Sequence, residues 1–324
     1  MSRFTRRRYV RVTALVLVCL LTWVWDTAHG MTLLHPSLVS GWILTGLMVF
    51  LTAYNVRKKL SFPSQSRATT AAVTMIPLVL LLGLLLVPPL TGRAFPTWIA
   101  LALYPPTLLA TLLVLPIKSS TWLQLHIYGG FFAAFVFALH VGLRLPTGGL
   151  ESALWVLFVL VVGSGVFGLY LTRRFPALIS NRGEEIIFER IPAFVTQRRR
   201  QAEELVLSTA RETSGTALPD FYASRLHDFF AGPRNLWAHL RESRRPLQTL
   251  QAELKALESF CSPEELEALE TLGGYVRSKD ELDYDYAHQA ALKYWLFAHL
   301  PLSYALLLLA GVHVLVVHAF GGIR

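Results

Sequence analysis

The chain has 324 residues, 53% of them hydrophobic, and a mean hydropathy of +0.46. Several apolar runs exceed ~18 residues, the length that crosses a bilayer, and a soluble domain of this length would not carry them. The formal charge of +9 is uneven: the stretch 177–290 holds 19 of the 21 acids but only 14 of the 30 bases, so it is near −5 and the remainder near +14. A membrane chain places such bases at the bilayer surface rather than on nucleic acid, so the basic pI reads as topology.

In chain order, Arg3, Arg6, Arg7, Arg8 and Arg11 precede an apolar run over 12–25. Thr5 to Arg11 loosely resembles a twin-arginine export signal, but no small-residue cleavage site follows. An uncleaved first span with a cytoplasmic basic cap is therefore expected. Further spans are predicted at 40–55, 69–90, 97–116, 121–144, 152–172 and 294–320, about seven in all. Pro77, Pro88, Pro89, Pro105 and Pro106 are expected to kink or shorten the third and fourth. Arg57, Lys58, Lys59, Lys118, Arg173 and Arg174 fall on the side of the N-terminus, whereas the opposite loops hold only Arg93 and Arg144. By the positive-inside rule the N-terminus and the polar stretch after Arg174 are cytoplasmic, and the C-terminus is outside. Trp25, Trp42, Trp98, Trp122, Trp155 and Trp295 sit at predicted span ends, as an aromatic belt would.

The polar stretch reads as helical. Leu247, Leu250, Leu254 and Leu257 form a short heptad seam, and Ser262-Pro-Glu-Glu then offers an N-cap serine, a proline at the first helical position and Glu265 to close a capping box. Leu266, Leu269 and Leu272 are expected on one face of the helix that follows. The stretch has no glycine-rich phosphate loop, dinucleotide fingerprint or clustered cysteines, so it reads as a docking or regulatory domain. Its Lys279-Asp-Glu-Leu is internal and so is no retention signal. The fold class expected is an all-α integral membrane bundle of about seven transmembrane helices, with a helical cytoplasmic domain inserted before the last span. Its parts are an N-terminal membrane region of about four spans (1–120), a first histidine span with its successor (121–174), the cytoplasmic domain (175–291) and a second histidine span (292–324).

The chemistry lies in the histidines. His126 and His140 share one span and His299 and His313 the last, each pair fourteen residues apart. On a helix that spacing is ~1400°, which leaves the two rings within ~40° of one face and ~21 Å apart along the axis. Ionisable side chains inside a membrane are costly and have partners. Topology makes the two spans parallel, with His126 and His299 about five residues in and His140 and His313 about nineteen. Depth matching pairs His126 with His299 and His140 with His313, as axial ligands of two b-type haems. Cys19 and Cys261 form no Cys-x-x-Cys-His motif, so the haems would be non-covalent. Gly130, Ala133 and Phe137 share the face of the first pair, with Gly129 alongside, and small residues there leave room for a flat macrocycle. Ser303, Leu306 and Ala310 share the face of the second pair. Gly163, Ser164, Gly165 and Gly168 suit close packing of the intervening span.

Leu125-His126-x-x-x-Gly130 followed by His140, and Ser164-Gly165-x-x-Gly168 before Arg173-Arg174, resemble the haem spans of the di-haem membrane cytochrome b superfamily. That superfamily includes the cytochrome b of quinol-oxidising complexes and the membrane domain of ferric reductases and NADPH oxidases. The resemblance covers Trp122 to Arg174 and Leu292 to Gly321. It implies that the four histidines are iron ligands and that the protein carries electrons across the membrane. Reductases and oxidases of that group carry a flavin and nicotinamide domain after the last span; none is expected here, which favours an electron-transfer oxidoreductase subunit working with quinone and a partner redox protein. The expected location is a bacterial inner membrane.

Other residues receive secondary readings. His318 is a candidate for a further cofactor or for a quinol proton, and His29 and His35 in the first outer loop for completing that site. His227, His239 and His288 are expected to be solvated or capping. Lys293, Arg173 and Arg174 stand where inner-haem propionates would emerge, and Arg144 where outer ones would. Two rival functions are a ferric reductase fed by a separate cytoplasmic donor and a histidine-based metal or proton transporter. No acid in the core spans and no repeat supports the transporter.

Overall fold

A computed structural model describes residues 11–21, 36–59, 107, 119–142, 144–180, 186–213 and 215–320. Among them every regular element is helical. The spans predicted at 69–90 and 97–116 lie outside the described residues apart from Thr107, as do His29 and His35. Three helices are long and apolar enough to cross a membrane: Ser119–Val141, Gly149–Ser180 and Pro263–Phe320. Two shorter apolar helices, Arg11–Leu21 and Ser40–Val56, coincide with the first and second predicted spans.

The chain divides into two compact units, one of residues up to Val166 together with 298–324, the other Phe167–Phe297. The first contains α1 (Arg11–Leu21), α2 (Pro36–Lys59), α3 (Ser119–Val141), and the relevant parts of α4 (Gly149–Ser180) and of the last helix, Pro263–Phe320. Trp122, Ala133 and Val136 of α3 are buried on the stripe that also carries His126 and His140, while Leu123 and Phe131 stand exposed on other faces. That split is the one a lipid-facing helix makes when its inner face meets protein. The core of this unit joins Leu44 and Met48 of α2, Ala133 and Val136, Phe158 of α4, and Leu306 and Ala310 of the last helix. Phe137 stacks on Phe158 with centroids 3.9 Å apart. Trp122 does not serve as a belt residue: it is 1% exposed and stacked on Phe50. At the end of α3, Gly142 takes φ +61°, a left-handed cap that directs its N–H to the Leu139 carbonyl at 3.2 Å.

The second unit has its own core. α5 (Ile191–Thr213), α6 (Ala217–Phe221), a π-turn over Tyr222–Leu226, α7 (His227–Ala231), α8 (Leu236–Leu240), α9 (Arg245–Leu257) and the first part of α10 (Pro263–Phe320) build it. Ala202, Val206, Leu218, Leu226, Phe230, Leu254, Leu269, Leu272 and Val276 are buried together, and the predicted seam residues Leu247, Leu250 and Leu257 pack on them. The face predicted for α10 needs one correction. Leu266 is 40% exposed and Ala268 is buried instead, because Leu266 lies ~120° round the helix from Leu272. The predicted capping box is present: the Ser262 N–H donates to Glu265 Oε2 at 2.9 Å and the Glu265 N–H to Ser262 Oγ at 3.3 Å. Ser262→Ala should cost about 1 kcal/mol at this terminus. Amide exchange over 264–267 in the full chain should accelerate accordingly, and unchanged exchange would show that the cap contributes nothing.

The boundaries expected at 174/175 and 291/292 are not breaks in secondary structure. α4 continues to Ser180 and α10 runs unbroken for 58 residues, with Pro176 and Pro301 inside them. A proline ring removes one backbone donor without ending a helix that is otherwise supported.

Candidate functional site

In the first unit, α2 and α3 run antiparallel: Ser40 lies beside His140, and Leu51 and Tyr54 lie beside His126. That is the relative direction expected of the second and fifth predicted spans. The start of α2 also meets the last helix, where the Trp42 ring stands edge-on to His318 at 5.6 Å. His140 and His318 therefore lie at one end of α2. His126 lies at the other. The last helix thus ends beside the end of α3 at which His140 lies, so the two histidine helices run parallel.

One hydrogen bond assigns a tautomer. His126 Nδ1 is 3.1 Å from the Leu51 carbonyl oxygen, which can only accept, so Nδ1 carries the proton and the lone pair is on Nε2. Ser164 Oγ lies 2.9 Å from the Val161 carbonyl and 2.7 Å from His299 Nδ1, so the hydroxyl bridges the two. Each ring thus has a polar neighbour at Nδ1, the kind of second partner that fixes ring orientation for a ligating histidine.

The glycines sort into two kinds. Gly129 is a packing residue: a Cβ there would come within 3.3 Å of Leu51 and 3.4 Å of Phe50. Gly130 faces open space, with nothing within 4 Å of such a Cβ, and Gly163 is the same. Gly165 lies under His299, 3.7 Å from a built Cβ to Cε1. In the second unit, a Cβ on Gly168 would overlap the indole of Trp295. Room for a flat group next to His126 therefore remains at Gly130, the glycine on the histidine face.

At the other level His140 is held by Ser40, with Nδ1 to Oγ 3.1 Å, over Gly41, where a Cβ would be 3.0 Å from Cε1. His313 is half-buried one and a half turns before His318. His318 donates Nδ1–H to the Val314 carbonyl of its own helix at 2.8 Å. Among the described residues no three His, Cys, Asp or Glu side chains converge to hold a metal ion. The donors of this region are single imidazoles on facing helices.

Two secondary expectations change, those for His239 and His288. Arg174 pairs with Glu242 at 2.7 Å, and Lys293 reaches Glu189 at 3.4 Å and covers the Phe188 ring, so both cations engage carboxylates of their own unit. His227 is half-exposed as expected. His239 and His288 are buried, at 5% and 0% exposure.

Those two histidines border a buried polar cluster that sequence reading missed. Lys279 Nζ donates to Asp283 Oδ2 at 2.5 Å and to the Gly232 carbonyl at 2.7 Å, and it lies 4.3 Å from the Phe229 ring centroid. Asp283 also accepts from the Arg234 backbone N–H at 3.2 Å. Asp280 lies 3.6 Å from His239, and Tyr284 stacks obliquely on His288. The cluster ties α10 to the turn after α7. The signal was available, since Leu272, Val276, Lys279 and Asp283 continue one 3–4 spaced stripe, which placed two charges on core positions.

Comparison of the chain with protein-family models, with curated proteins and with solved structures gives no match.

Proposed function

We propose that the chain is the membrane subunit of a di-haem b-type cytochrome, moving electrons across a bacterial inner membrane between quinone and a partner redox protein. The observation that carries the reading is the His126–His299 pair: imidazoles on two parallel helices, His126 donating Nδ1–H to the Leu51 carbonyl and His299 standing with Nδ1 on Ser164. Imidazoles are haem-iron ligands, so a region that offers them singly on facing helices would suit a b-type haem. When bound, the haem supplies a one-electron iron couple. The chain's residues do the rest: His126 and His299 would hold the inner group with Gly130 leaving space beside it, and His140 and His313 the outer. Leu51, Ser164 and Ser40 fix three of the four rings. On this reading the 175–291 domain is cytoplasmic and the C-terminus is outside.

A reduced-minus-oxidised spectrum and a pyridine haemochrome assay of the purified chain test it. About two b haems per chain are expected; a colourless, well-folded protein overturns the proposal. Ser164 is a positioning residue for His299. Ser164→Ala should weaken haem retention about 10–100-fold and shift one of the two potentials, while Ser164→Thr restores both. Identical potentials and retention in Ser164→Ala would remove that role.

A further inference from the structure

The segment 231–245 of the second unit carries features that its core does not require. Trp237, on the five-residue helix α8, is 75% exposed. Its turn is firmly rooted, because His239 two residues on is buried, lies 3.6 Å from Asp280 and stands edge-on to Tyr284. The two positive-φ non-glycine residues among those described, Asn235 and Glu242, both at 56°, bracket this helix. Such backbone persists only where the surroundings enforce it, so the indole is held outward rather than left loose. Around it Arg241, Arg244 and Arg245 are exposed, and the one acid of the segment, Glu242, is neutralised by Arg174 at 2.7 Å.

We infer that this segment is a membrane-surface foot: Trp237 seats in the headgroup layer, and the flanking arginines engage anionic lipid phosphates. The ion pair with Arg174 selects this occupant. Arg174 is the third residue past Leu171, where the apolar run of α4 ends. Glu242 is thereby tied to the point where a spanning α4 leaves the bilayer. Trp237 is bound to that point through the backbone, because the Arg241 N–H donates to the Trp237 carbonyl at 3.2 Å and the Glu242 N–H to the His239 carbonyl at 2.9 Å. Indoles favour that layer, and arginines are drawn to an anionic leaflet. An acidic protein could use the same charges, but nothing would then require the patch to be tied to the end of a span. The inference rests on α4 crossing the membrane and is independent of the haem reading.

Hydrogen exchange on the full chain in lipid nanodiscs tests it, comparing discs of phosphatidylcholine alone with discs containing phosphatidylglycerol. Peptides covering 231–245 should exchange severalfold more slowly in the anionic discs. The difference should shrink at high salt and disappear in the Trp237→Ala/Arg241→Gln variant, with core peptides around Leu272 unchanged. Equal exchange of the wild-type segment in the two lipids overturns the inference and leaves the patch to an acidic protein partner. Because the lipid comparison uses the wild-type chain, it stands even if the variant folds poorly.

Discussion

His126→Ala and His299→Ala should each lose the same haem, lowering haem content from two to one per chain and deleting the same component from a redox titration. The helices that carry the two rings run parallel, and each ring has a polar neighbour at Nδ1, the Leu51 carbonyl for His126 and Ser164 for His299. Removing either imidazole leaves an iron with one protein ligand, and the void and the abandoned partner also weaken the bundle. His126→Met is the companion variant, because it retains a donor atom. It should keep the haem while raising its potential, since thioether ligation favours the reduced iron. His140→Ala and His313→Ala should deplete the other haem, and His318→Ala neither. Depletion of different haems in His126→Ala and His299→Ala would break the pairing outright.

The second large effect concerns the second unit. Lys279→Met or Asp283→Ala should destabilise it by about 3–5 kcal/mol, since each leaves the opposite charge buried. The double variant Lys279→Met/Asp283→Leu should recover most of that loss, because two apolar side chains need no partners. Exchange of the core amides around Leu272 and Val276 in the full chain reads both. Additive losses in the double variant would show that the pair is not coupled. A pH signature accompanies this. Burial pushes the Asp283 carboxyl up to about 6 against the pull of Lys279, and burial likewise lowers the Lys279 ammonium. A carboxyl whose folded pKa is raised binds its proton more tightly folded than unfolded. Its stabilising contribution is complete below its ordinary value of 3.8 and lost as pH rises through about 6. Lys279→Met removes the lowering cation and moves the window upward. That variant should therefore gain stability as pH falls from about 8 to 5, by up to ~1.4 kcal/mol per pH unit. A flat profile would place Asp283 in water.

How much of this was readable in advance depends on the range of the signal. The capping box at Ser262 and Glu265 is a local pattern, and the structure has it. The histidine spacing is also local, and it put His126 and His140 on the buried stripe of α3. The role of α2 was not legible. Ser40, Leu51 and Tyr54 reach the histidines only because two helices distant in sequence lie side by side, and nothing in α2 itself announces that. Gly129 and Gly130 look alike in sequence, yet one meets Phe50 and the other open space, a difference made by the neighbour. Lys279-Asp-Glu-Leu reads as a hydrophilic surface until the stripe from Leu272 is extended through it. His239 and His288 were misjudged for the same reason: polarity was taken for exposure in a domain that buries several charges.

The unbroken course of α10 bears on which changes in chain length the protein can tolerate. In the first unit His299, Leu306 and Ala310 lie on one unbroken stretch of it, within ~40° of one face, with no loop between them to absorb a slip. A one-residue insertion or deletion between His299 and Leu306 turns everything beyond it by ~100°. It would carry His299 away from Ser164 while Leu306 and Ala310 kept their places in the core. Point substitutions on the exposed side of this stretch should therefore be far better tolerated than any change in its length.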